Sequence, residues 1–133
     1  MYKFLDIATE RDVLMARQEG RLCAQEMGFG RADQTRLATA ISELTRNILR
    51  YAGKGTCTFR KEESANSARL EVTVEDHGPG IPDLDAAMSD GFSTSSGLGA
   101  GLPGTRRLVH EFHIESRPGL TRVVIAMTTR LRP

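Results

Sequence analysis

Apolar and polar residues alternate from Lys3 to Ala8, the period of a short strand with one buried face. Thr9 and Asp12 then stand three apart, as in a capping box, and predict a helix that runs to about Met27 and stops at Gly28. After Gly28-Phe29-Gly30 the apolar period lengthens. Leu37, Ile41, Leu44 and Ile48 recur at helical spacing and predict a second helix from near Asp33 to Gly53. Alternation returns over Thr56–Lys61 and Leu70–Glu75, a predicted strand pair with Leu70, Val72 and Val74 inward and Glu62–Ser67 as its turn. Pro82 and Asp83 open a single helical turn through Met88. The run from Ser89 to Gly101, rich in Ser, Thr and Gly, predicts a mobile lid. Pro103 suits the first turn of a third helix with Leu108, Val109 and Phe112 inward, and strands follow over about Phe112–Arg117 and Thr121–Thr129.

Intermixed helices and strands predict an α/β sandwich, with about three helices packed on one face of a mixed, mostly antiparallel sheet. The 133 residues suit one domain spanning 1–133, with no internal repeat. Composition supports a soluble globular chain, at 39% apolar and 26% charged residues. Lys and Arg number 18 against 17 Asp and Glu, so no net field favours nucleic acid or an anionic membrane. No apolar run approaches ~20 residues and no signal peptide is visible, which predicts a cytoplasmic protein. Cys23 and Cys57 lack metal or redox spacing and are expected to be free thiols in the core.

Three short signals carry candidate chemistry. Glu43 and Asn47 stand one helical turn apart, offset from the apolar stripe, so both can point into one cleft. An Asn carbonyl oxygen suits Mg²⁺, and a carboxylate beside it can accept a proton from an attacking hydroxyl. A solvated helix face would show the same pair. In Asp76-His77-Gly78-Pro79-Gly80 an acid follows a strand and the glycines permit a sharp turn close to a planar ring. A carboxylate there accepts from the exocyclic amine of adenine and opposes the carbonyl of guanine. A plain surface turn has similar composition. Gly97, Gly99 and Gly101 precede a helix and can turn N–H groups toward phosphate, with Arg50 as a further phosphate candidate. Gly99, Gly101 and Gly104 fit G-x-G-x-x-G, but no βαβ unit surrounds them, which excludes a dinucleotide fold. A Walker loop and the protein-kinase signatures are absent, and His110-Glu111-Phe112-His113 lacks zinc spacing.

In this order the signals resemble the GHKL ATPase superfamily of gyrase, Hsp90 and histidine kinases. Glu43-x-x-x-Asn47 is similar to its N box, Asp76-x-Gly78-x-Gly80 to its first glycine box, and Gly97-Leu98-Gly99-Ala100-Gly101 to its second. Glu43-Leu44-Thr45-Arg46-Asn47-Ile48 and Asp90-Gly91-Phe92-Ser93-Thr94-Ser95 further resemble the small stand-alone switch kinases of the stressosome. The resemblance implies the Bergerat fold and a Mg²⁺- and ATP-dependent serine/threonine kinase. Its implied substrates are STAS-domain scaffold or antagonist proteins, and its implied output is a downstream phosphatase or other protein. It further implies Asn47 on Mg²⁺, Asp76 on adenine, Glu43 as base, and Gly78, Gly80, Gly97, Gly99, Ala100, Gly101 and Leu102 around the nucleotide. Thr121 matches a threonine that supports Asp76 and an adenine-bound water, although Leu120 stands where the family has glycine. Two other functions fit the motifs: a nucleotide-gated, anti-sigma-like binding module, and simple ATP hydrolysis.

Overall fold

The structure, a computed structural model, describes residues 2–89 and 101–131. Strand β1 (Tyr2–Ile7) leads into helices α1 (Glu10–Glu26) and α2 (Arg31–Tyr51), then strands β2 (Gly55–Glu63) and β3 (Ser67–Asp76). The short helix α3 (Leu84–Ala87) and helix α4 (Gly101–Leu108) precede strands β4 (Glu111–Arg117) and β5 (Leu120–Arg130). The five strands form one sheet in the order β1-β2-β3-β5-β4. All four pairings are antiparallel, so the anticipated mixed character gives way to a uniformly antiparallel ladder among the described residues. Long loops and helices connect the strands without requiring a parallel crossover.

Local chemistry accounts for the element ends. The α1 capping box forms as expected: Thr9 Oγ1 accepts from the Asp12 amide at 3.2 Å and Asp12 Oδ2 accepts from the Thr9 amide at 3.0 Å. Helix α2 starts two residues earlier than its first acid, at Arg31, and is closed where the Gly53 amide bonds to Ile48 O at 2.8 Å. Helix α4 ends at Leu108, so Phe112 belongs to β4 rather than to the helix face assigned from spacing. Short apolar runs fit either period, and the strand partner decides between them.

Strand β3 alternates without a break: Ala68, Leu70, Val72, Val74 and Asp76 are buried, and the residues between them are half-buried on the other face. Leu70, Val72 and Val74 oppose Met127, Ile125 and Val123 of β5, and this face packs under α2. Ile41, Leu44 and Ile48 of α2 close the core from above. Each such large side chain contributes roughly 1.5–3 kcal/mol on burial. The opposite face of the sheet is polar, with Arg69 held by Glu62, Glu71 and Glu111. Cys23 and Cys57 are free and buried, and burial pushes the Cys23 thiol up to about 11 and Cys57 higher still. Neither is a nucleophile at neutral pH. No helix among the described residues is long and apolar enough to cross a membrane.

Candidate active site

Where the apolar face reaches the carboxyl end of β3, the alternation continues but the chemistry changes. Asp76 takes the last inward place and is only 8% exposed. A buried carboxylate needs hydrogen-bond donors. The Gly78 amide supplies one, at 2.9 Å from Oδ1, which leaves the acid a second oxygen to offer a ligand. Gly80, at φ 80°, turns the chain so tightly against the β4–β5 connection that an added Cβ would lie 2.5 Å from Arg117 O. The two turns are tied together by the Gly119 amide on Gly78 O at 2.9 Å.

Register brings two hydroxyls to the same end of the sheet. Thr121 opposes Asp76 across the β3–β5 ladder and Ser116 across the β4–β5 ladder. Thr121 Oγ1 and Ser116 Oγ are 2.8 Å apart, and the Ile81 amide donates to Ser116 Oγ at 2.8 Å. Leu120, the departure from the family's glycine, is already a buried strand residue paired with Arg117. Gly119, at φ 92°, supplies the left-handed backbone one residue earlier.

A cavity of about 360 Å³ opens here, between the end of the sheet and α2. Its floor is apolar, with Leu44, Ile48, Val74, Ile114 and Val123, a surface suited to a planar base. Glu43, Asn47 and Arg50 project into its wall from α2, and Tyr51 stands beside them with its ring 5.9 Å from the Arg50 guanidinium. Arg46 lies 3.8 Å from Glu43 and 3.7 Å from Glu10 of α1. Gly101 and Leu102 of α4 line the cavity as well.

Of the residues singled out from the sequence, Glu43, Asn47, Arg50, Asp76, Gly80, Gly101, Leu102 and Thr121 therefore share one cavity. Gly78 stands behind the wall and acts through Asp76. Gly97, Gly99, Ala100 and the central part of the anticipated lid lie outside the described residues. Ser116 was not anticipated. Its signal was present in the alternation of Phe112, Ile114 and Ser116, which puts a hydroxyl at the end of an otherwise apolar inward stripe.

The family model described as histidine kinase-, DNA gyrase B-, and HSP90-like ATPase matches residues 32–131, and the chain belongs to that family. It is an ATP-using enzyme. Serine/threonine-protein kinase RsbT of Bacillus subtilis (strain 168) is 54% identical over 113 residues, 85% of each chain. Among solved structures, the RsbU and RsbW domains of a Mycobacterium tuberculosis protein match all of this chain and 33% of that one, with a TM-score of 0.67 at 19% identity. The catalytic domain of histidine kinase ThkA matches 94% of this chain and 95% of its own, with a TM-score of 0.53 at 18% identity. At those identities the two structures speak to the fold alone.

Proposed function

We propose that this chain, an ATP-using serine/threonine protein kinase, phosphorylates a STAS-domain scaffold or antagonist protein in a cytoplasmic partner-switching pathway and then engages a downstream phosphatase or other output protein. The observation that carries the catalytic reading is the meeting of Glu43, Asn47 and Asp76 in one cavity, with the acids at different walls. Asp76 accepts from the exocyclic amine of adenine, and the apolar floor packs against the ring. The phosphates then run along α2 toward Gly101 and Leu102. Arg50 faces the same space and offers positive charge to them.

Glu43 serves as the base. Its carboxylate takes the proton of the acceptor hydroxyl as that oxygen bonds to the γ-phosphorus and the bond to the β-phosphate oxygen breaks, leaving ADP. Arg46 pairs with that carboxylate across the helix surface at 3.8 Å. Asn47 fits a role in holding Mg²⁺: it brings one carbonyl oxygen to the cavity, and such an ion is completed by phosphates and water rather than by a protein cage. When bound, Mg²⁺ would offset the phosphate charge.

The test is incubation with γ-labelled ATP and purified STAS-domain proteins. Label on a serine or threonine of the partner is the expected result. A stable complex without transferred label would replace the kinase reading with that of a nucleotide-gated binder, and phosphate release without a labelled acceptor would leave only hydrolysis.

A further inference from the structure

We infer that Ser116 fixes the direction of the Thr121 hydroxyl, making it a hydrogen-bond donor toward the purine, and so acts as a positioning residue for choice of base. The inference rests on the reading of the cavity as an ATP site. Its basis is where the one spare hydrogen of this cluster lies. The Ile81 amide has only a hydrogen to give, and Ser116 Oγ accepts it at 2.8 Å. Between Ser116 Oγ and Thr121 Oγ1, 2.8 Å apart, one hydrogen lies along the line. If Thr121 gave it, Ser116 would accept twice and its own hydrogen would have no protein acceptor among the described residues. If Ser116 gives it, the hydrogen left over is the one on Thr121, which lines the cavity where Ser116 does not, and a bound base can accept it. The relay then runs from the Ile81 amide through Ser116 to Thr121, each bond polarising the next, and the Thr121 hydrogen is left to turn into the cavity that Thr121 lines.

The cavity end thereby offers an acceptor on Asp76 and, on the adjacent strand in direct register, a donor on Thr121. Adenine presents the complement: the exocyclic amine as donor and the neighbouring ring nitrogen as acceptor. Hypoxanthine and guanine reverse both, with a carbonyl oxygen beside a ring N–H. Asp76 opposes the first reversed position, and Ser116, acting through Thr121 directly or across one water, opposes the second. Without Ser116 the Thr121 hydroxyl is free to rotate and accept from a ring N–H.

Equilibrium binding of ATP and of inosine triphosphate separates this role from a structural one, because hypoxanthine lacks the extra amine of guanine. In Ser116→Ala, ATP affinity is expected to fall about tenfold while inosine triphosphate affinity changes less than about twofold, so selectivity narrows by most of a factor of ten. Ser116→Thr keeps the hydroxyl and is expected to restore the ratio. Thr121→Val should narrow selectivity by a similar factor, and the double variant Ser116→Ala with Thr121→Val should add little to either. Equal loss for both nucleotides, an unchanged ratio, or additive effects in the double variant overturn the inference. Failure of the wild-type protein to prefer ATP overturns it together with the site reading. A wild-type preference that survives Ser116→Ala overturns the inference alone.

Discussion

The two ends of the cavity are built by different means. At the end proposed for the base, Asp76, Ser116 and Thr121 come from three strands, and most of their polar atoms are occupied with one another or with the backbone of Gly78 and Ile81. At the end proposed for the phosphates, Glu43, Asn47 and Arg50 come from a single helix and stand on its surface with apolar Leu44 and Ile48 beneath. The first is a preorganised wall whose geometry is set by strand register. The second is a row of side chains set by helical spacing. On the proposed reading, recognition of the base and phosphoryl transfer draw on different elements of the fold.

The largest expected break comes at the phosphate end. Glu43→Gln removes the proposed proton acceptor but keeps the size of the side chain, and phosphoryl transfer is expected to fall by about 10²–10⁴ while ATP affinity stays within about twofold. Single-turnover transfer and equilibrium binding, measured on the same sample, check both halves. At the base end the pattern should invert. Asp76→Asn turns part of an acceptor into a donor facing the proposed position of the adenine amine, and ATP affinity is expected to drop about 10–100-fold, with inosine triphosphate losing less. Equal ATP affinity in that variant would remove Asp76 from base recognition.

A smaller effect sharpens the metal assignment. Asn47→Ala is expected to weaken ATP about tenfold in the presence of Mg²⁺ and by much less in a chelator, as a titration in both conditions would show. The same loss in both would assign Asn47 to the nucleotide alone.

The smallest effect belongs to neither end and serves as a control. Asp12, chiefly through the Ala8 amide, and Glu111, through Arg69, have carboxyl groups held below their ordinary range. Their folded values lie below the unfolded ones, so the stability they contribute is present above about pH 4 and is lost as pH falls through the folded values. Denaturant midpoints should decline from pH 5 to pH 3, and Asp12→Asn with Glu111→Gln should flatten that decline without altering ATP selectivity at neutral pH. An equally steep decline in the double variant would place the acid sensitivity elsewhere.

Much of this architecture was readable before folding was considered. The Thr9–Asp12 cap and the Leu37–Ile48 stripe depend on neighbours within a turn or two, and both stand as expected. Glu43 and Asn47 share a wall for the same reason: a separation of four residues defines one helix face in any context. The boundary at Phe112 was not readable, because a few apolar residues between a helix and a strand satisfy either period until a partner is chosen.

The sequence by itself determined the types of the elements, the spacing of the helix-borne pair, and the placing of an acid in a glycine turn after a strand. Each is a short-range property, fixed by backbone sterics and side-chain period. Only the tertiary structure decided that Asp76, Thr121 and Ser116 stand in one row, because residues about 40 positions apart meet through ladder register. It also decided that Gly119 makes the turn ahead of Thr121, leaving Leu120 to the core. Whether a hydroxyl donates or accepts depends on all of its neighbours at once, which a linear pattern does not contain.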